Sequence, residues 1–409
     1  MAKLAINGGP KACDYVVPRW PVWGDVERKE LNGVLESGAW WYGEKIREFE
    51  AKFAAFQGAR YGITTTNGTA ALEASLLALG IGAGDEVIVP PLTFLATASA
   101  VLRVNAVPVF ADVQADTVCL DPDCAEAAIT EKTKAIIPVH FAGYVADMDR
   151  FNEIARKHKI HIIEDACHSW GSQWKGKGTG ALGTCGAFSF QESKNITSGE
   201  GGIILTDSEQ VADDCRSYIN CGRGKDSPWY QHFVLGGNLR MTEFQAALLC
   251  GQITRLEAHT LERMRNVDIV TQSLGGCPGI ILLRGEPRMT RRAYHMFIFR
   301  VDTRALGISL ARFIEALRAE GVPAGGGYPH PLYKNPLFLR KGEGPEYCPV
   351  SCPYYGKEMD YSKVCSPVTE QLLSDMVWIF HPSFLAGPGA AEQIGAAIRK
   401  VAENVAELK

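Results

Sequence analysis

No apolar run in this chain is long enough to span a bilayer. An excess of one charge is also missing: 42 Lys and Arg stand against 46 Asp and Glu, a formal net charge of −4. That balance offers no basic surface to nucleic acid or to an anionic membrane. The 12 cysteines form no paired Cys-x-x-Cys framework. Cys348 and Cys352 lie close together, but no second pair and few histidines accompany them, so no metal site is expected. With no secretory signal at Met1-Ala2-Lys3-Leu4, the cysteines read as reduced thiols of a cytoplasmic protein. Internal repeats and low-complexity linkers are missing. So are a Gly-x-Gly-x-x-Gly after the first strand and the phosphate-loop lysine pattern, which argues against a nicotinamide cofactor.

What remains is a globular chain of 409 residues, 46% hydrophobic and 22% charged, long enough for about two domains at the usual ~100–200 residues each. A Pro- and Trp-containing arm (Pro18, Trp20, Pro21, Trp23) opens it, and exposed tryptophans are costly, so the arm is expected to pack on something. Helical spacing follows over 25–37 and 44–57, with an aromatic turn at Trp40-Trp41-Tyr42 between. From Tyr61 short Ile/Val-rich strands alternate with helices: strands at 61–65, 86–89, 107–110, 135–139 and 161–165, helices at 67–79, 93–104, 123–129 and 148–158. Such alternation predicts an α/β domain with a mainly parallel sheet buried on both faces. Strands at 188–190 and 202–206 and a long helix over 242–265 complete it. Beyond about residue 270 the pattern changes to that of a smaller α+β domain, so the expected division is 1–265 and 266–409.

In a parallel sheet, ligands bind beyond the carboxyl ends of the strands. Lys194 stands just past the core strand Phe188-Ser189-Phe190 and before Gly199-Glu200-Gly201-Gly202, anchored on one side and free on the other. That suits a carbonyl-capturing amine, although strand-end lysines also simply solvate. Asn67-Gly68-Thr69 joins a strand to a helix N-terminus, which makes either a phosphate site or an ordinary cap. Asp165 ends another strand, where a carboxylate either holds a proton on a ring nitrogen or caps a helix. His168 and Phe94 could touch a flat ring or pack structurally, and Cys167 reads as packing. Ser189 alternates with its phenylalanine neighbours, so its hydroxyl faces the opposite side, toward a phosphate or the backbone. A phosphate cradle, a ring stacker, a carboxylate and an amine together fit pyridoxal 5′-phosphate (PLP).

These residues also carry a resemblance. Thr66-Asn67-Gly68-Thr69-Ala70-Ala71-Leu72, Glu164-Asp165-Ala166-Cys167-His168, Phe188-Ser189-Phe190-Gln191-x-x-Lys194 and Gly237-Asn238-Leu239-Arg240-Met241 resemble, in order and spacing, motifs of the DegT/DnrJ/EryC1/StrS aminotransferases. The resemblance runs from Ile6-Asn7-Gly8-Gly9 to the closing helix. It implies the fold-type I architecture, a seven-stranded-type sheet between helices, and a homodimer with shared active sites. Lys194 would hold PLP as a Schiff base and move the proton, and Asp165 would pair with the pyridine nitrogen. Phe94 and His168 would contact the ring, and Gly68, Thr69 and Ser189 the phosphate. Asn238 would reach the phosphate of the neighbouring subunit. Arg240 would receive the donor's carboxylate, with Tyr328 and His330 at the pocket mouth. The implied reaction moves an amino group from L-glutamate or L-glutamine to a keto cyclitol or keto sugar. Gln191 and the opening segment resemble the inosose aminotransferase and aminohydroxybenzoate synthase branch, while Lys194-Asn195-Ile196-Thr197 resembles the nucleotide-sugar branch. A dehydrating, aminohydroxybenzoate synthase-like activity is the alternative. The intact cofactor set argues against a non-catalytic regulatory member.

Overall fold

The alternating strands assemble as expected into one large sheet. A computed structural model describes residues 3–340, 349–350 and 352–409, so Cys348 and the first two residues lie outside the described residues. The strands are Tyr61–Thr65 (β1), Glu86–Val89 (β2), Val107–Phe110 (β3), Thr133–Ile136 (β4) and His161–Asp165 (β5). A small hairpin, Gln173–Trp174 (β6) and Lys177–Gly178 (β7), precedes Cys185–Ser189 (β8) and Gly202–Thr206 (β9). The order across the seven-stranded sheet is β1-β9-β8-β5-β4-β2-β3. Only β9 runs against its neighbours; every other pairing is parallel. The central strands are buried along their whole length, which is why they read as continuous apolar runs rather than alternating ones.

The carboxyl ends of β1, β5 and β8 therefore lie on one side of the sheet. β1 feeds the helix Gly68–Ala78, whose buried Ala71, Leu72, Ala74 and Leu76 sit in the same core as Ile204 of β9. The helix after β2 runs from Ala96 to Arg103 and not from Thr93, so Phe94 belongs to a loop. Pro90 and Pro91 explain the late start: proline holds the preceding chain extended and donates no backbone bond. A helix over Glu209–Ile219, with Val211 N donating to the Ser208 hydroxyl, adds to the elements expected from periodicity.

A second, antiparallel sheet comprises Ile280–Leu282 (β10), Met296–Val301 (β11), Ala324–Gly326 (β12) and Met376–Phe380 (β13), in the order β10-β11-β13-β12. The long helix Glu243–Ser273 passes through residue 265 without a break. Its Leu249, Cys250 and Leu256 pack with the phenylalanines under β8, whereas Val267 and Val270 pack in the core of the small sheet. One rigid helix thus serves both cores.

The N-terminal arm packs on its own chain. Leu4 is buried in the small-sheet core, and the amides of Ala5 and Ala12 donate to Glu320 at 2.8 and 2.9 Å. Trp20 lies edge-on to His381, with ring centroids 4.5 Å apart.

Candidate active site

The strand ends converge on a cavity of about 1080 Å³. One part of its wall is the turn into the helix Gly68–Ala78. Asn67 caps that helix, its side-chain oxygen accepting from Ala70 N at 2.9 Å. The amides ahead of Ala70, those of Gly68 and Thr69, have no partner one turn back within the helix and remain donors for an anion. Glycine is required at 68 because a Cβ there would stand 2.8 Å from Ser189 Cβ and 3.0 Å from Cys167 Sγ. This approach brings the end of β8 against the helix N-terminus. Phe188 and Phe190 pack edge-to-face against Phe49 and Phe53 in the core beneath, so Ser189 is turned the other way, into the cavity wall.

β5 delivers two adjacent carboxylates to opposite faces. Glu164 is fully buried and consumed structurally: it accepts from the amides of Gly180, Leu182 and Gly183 at 2.6 to 2.7 Å and pairs with His140 Nε2 at 2.8 Å. Asp165 lines the cavity. Its Oδ2 accepts from Thr97 Oγ1 at 2.7 Å and its Oδ1 from Cys167 N at 3.2 Å.

Lys194 extends into the same cavity, its Nζ 5.8 Å from the Trp170 ring centroid. Burial lowers the pKa of its amine below the ordinary lysine value, and the nearby Cys167 and Asp165 oppose that shift in part. The turn carrying it is held from several sides. Lys194 N donates to Gln191 O at 2.9 Å, Trp20 Nε1 to Glu192 O at 2.9 Å, and His381 Nε2 to Ser193 O at 3.1 Å. Asn195 donates to Ala293 O at 3.0 Å. The Gln191 side chain accepts from Ser193 N and Oγ, so it closes its own turn.

His168 lies against His295, ring centroids 4.6 Å apart and 31° from parallel. Burial, with a contribution from Lys194, pushes the pKa of His168 well below the ordinary histidine value, so its ring is neutral. Its Nδ1 is buried with no partner among the described residues. Phe94 is 61% exposed at the cavity mouth, which leaves a ring face free for stacking. Tyr328 lines the cavity edge-on to Trp378 at 5.1 Å, and burial raises the pKa of its hydroxyl.

Asn238, Arg240 and His330 do not line this cavity within the one chain. Arg240 donates to Asn220 Oδ1 at 2.8 Å and lies over Trp41, and Asn238 bridges to Asn220. His330 Nδ1 is 3.1 Å from Pro331 O. Residues that sequence reasoning left out are Thr97, His295 and Trp378. For Thr97 a signal existed, the Thr93-x-x-x-Thr97 spacing that places two hydroxyls on one side of a helical turn. His295 and Trp378 reach the cavity from the distant small sheet, and no local pattern announces that.

Comparison with known proteins gives concordant results. Residues 22–375 match the DegT/DnrJ/EryC1/StrS aminotransferase family. The chain is 37% identical over 424 residues to the L-glutamine:scyllo-inosose aminotransferase of Streptomyces griseus, covering 100% of this chain and 99% of the relative. The crystal structure of 3-amino-5-hydroxybenzoic acid synthase matches with a TM-score of 0.85 and 33% identity, over 96% of this chain and 100% of that one. S. venezuelae DesV, solved in complex with a ketimine intermediate, matches with a TM-score of 0.80 and 31% identity, over 92% and 94% of the two chains.

Proposed function

We propose that this chain, which belongs to the DegT/DnrJ/EryC1/StrS aminotransferase family, binds PLP and moves an amino group from L-glutamine or L-glutamate to the ketone of a cyclitol. The observation that carries the reading is a single cavity lined by Gly68, Thr69, Asp165, Ser189 and Lys194. The cofactor fits these residues. Its phosphate would suit the amides of Gly68 and Thr69 and the hydroxyls of Thr69 and Ser189, and its ring would suit Phe94 and His168, which line the same cavity.

When bound, PLP supplies an electron sink and a carrier for the amino group. Lys194 Nζ would hold the cofactor and would be the amine that takes and returns a proton during amino-group transfer. Burial lowers its pKa, which favours the free, nucleophilic amine relative to an exposed lysine. Asp165 holds the proton on the ring nitrogen. Tyr328, Trp378 and Phe380 add aromatic surface to the same cavity, where a ketone acceptor would lie.

A homodimer completes the site. Trp229, Tyr230 and Leu235 are 75%, 77% and 96% exposed, an apolar strip that a second copy would cover. The same strip leads to Asn238 and Arg240, which would meet the phosphate and the donor carboxylate of the partner's cavity. Sedimentation as a monomer in the presence of PLP would overturn this part.

The keto cyclitol is favoured as acceptor by the Streptomyces griseus relative, similar over the full chain. The likeness to 3-amino-5-hydroxybenzoic acid synthase favours, as a second reading, a dehydrating reaction on an aminocyclic ketone. Loading the protein as its pyridoxamine form and screening inososes, keto nucleotide sugars and aminocyclic ketones separates them. Return of the visible cofactor band with an inosose and no aromatic product supports transamination of a cyclitol; return only with keto nucleotide sugars, or release of an aromatic acid, overturns it.

A further inference from the structure

Asp165 is the last member of a buried chain of hydroxyls. Thr97 Oγ1 lies 2.7 Å from Asp165 Oδ2, and Thr93 Oγ1 lies 2.8 Å from Thr97 Oγ1. Thr97 is fully buried, with Thr93 at 3% and Asp165 at 5% exposure. The polarity of the chain follows from its end. An ionised carboxylate only accepts, so the single hydroxyl proton of Thr97 is directed to Asp165. Thr97 then has lone pairs left to accept with, and Thr93 donates to it. Cys167 N occupies the other carboxylate oxygen at 3.2 Å. Both oxygens of Asp165 are therefore fixed by protein donors.

We propose that Thr97, backed by Thr93, is a positioning residue that keeps Asp165 an oriented anion facing the cofactor's ring nitrogen. The inference rests on the PLP reading above. A carboxylate and a pyridine nitrogen in contact share one proton. Each donor to the carboxylate favours its charged form and so leaves the proton on nitrogen, where the ring is the stronger electron sink. In a site this dry the second hydroxyl polarises the first and strengthens its bond. Removing Thr97 takes away one of the two donors that fix the carboxylate, so the shared proton moves from the ring toward it. The backbone cause is local: Thr93 stands in the loop before the helix Ala96–Arg103 and Thr97 in its first turn, so their side chains meet over one turn.

The test uses holoenzyme reconstituted with PLP labelled with ¹⁵N at the ring. In Thr97→Val, of nearly the same shape, the ring nitrogen resonance is expected to move from the protonated toward the unprotonated position. The glutamine half-reaction is expected to slow about 10- to 100-fold, the size of one charge-assisted hydrogen bond, with donor KM nearly constant. Thr97→Ser should restore both, and Thr93→Val should slow the half-reaction by only about threefold. A wild-type ring nitrogen that is unprotonated, or a Thr97→Val protein with wild-type resonance and rate, overturns the inference while leaving PLP binding intact. A wild-type protein that takes up no PLP overturns the functional reading and this inference with it. If Thr97→Val does not fold, Thr93→Val decides: an unchanged rate and resonance there overturns the relay.

Discussion

His295 Nδ1 lies 3.0 Å from the side-chain oxygen of Asn195, the residue that follows Lys194. Because the Asn195 amide nitrogen donates to Ala293 O, its oxygen is the acceptor, and His295 must carry its proton on Nδ1. The pair ties the lysine turn to the small sheet through a neutral imidazole, whose pKa burial holds well below the ordinary histidine value. Asn195→Ala leaves His295 Nδ1 buried without this partner, which is expected to cost about 1–3 kcal/mol, while Ala293 O keeps its bond from Arg263 Nε at 3.1 Å. The lysine turn loosens at the same time. Urea unfolding of the apoprotein should show the loss, with a slower glutamine half-reaction in the holoenzyme. Unchanged stability and rate would mean that the contact has no role.

Most of the α/β part was legible in the sequence, because β2, β5 and β9 are short Ile/Val/Leu runs between helices. That Lys194, Asp165 and Ser189 lie at one cavity follows from their places at or just past strand ends, which the sequence also shows. What could not be read was pairing across distance. The single antiparallel strand β9, the continuity of the helix Glu243–Ser273 across residue 265, and the approach of His295 and His381 to the lysine turn are tertiary facts. Gln191, which resembles the inosose aminotransferase and aminohydroxybenzoate synthase branch, lines the cavity while its side chain closes its own turn on Ser193.

Burial of Lys194 makes the apoprotein's stability depend on alkaline pH. Below its lowered pKa, folded and unfolded chains both carry the ammonium, and the folded chain bears its desolvation cost. Between that value and 10.5 only the unfolded chain still holds the proton, so stability rises with pH through this window. Lys194→Met should abolish the rise. Parallel urea midpoints for the two apoproteins from pH 7 to 10.5 would contradict it.

Acid acts through the histidines. His168, His295 and His381 are buried and neutral, their pKa values held well below 6.5 chiefly by desolvation. Below pH 6.5 the unfolded chain gains protons that the folded chain refuses, so each is expected to remove about 1.4 kcal/mol of stability per pH unit. His381→Phe should flatten the dependence between pH 6.5 and 5 by one histidine's share, about 1.4 kcal/mol per pH unit. Identical slopes for mutant and parent would show that His381 titrates alike in both states.

Gly68→Ala probes the cradle. Its new Cβ meets the Ser189 Cβ and Cys167 Sγ at contact distances that nothing flexible can relieve. Overpacking of this kind costs about 1–3 kcal/mol, and displacement of the helix N-terminus from β8 should weaken PLP affinity by tenfold or more, about the same energy. Fluorescence titration of the apoprotein with PLP measures it. Wild-type affinity would place the phosphate elsewhere.

A single-turnover absorbance experiment tests the central claim most directly. Protein reconstituted with PLP should show the visible band of lysine-bound cofactor, lose it on addition of L-glutamine or L-glutamate, and regain it when scyllo-inosose or a deoxy analogue is added. Lys194→Ala should show neither the band nor turnover. A band that neither amino acid bleaches, or a Lys194→Ala protein that aminates the ketone at the parent rate, would contradict the account.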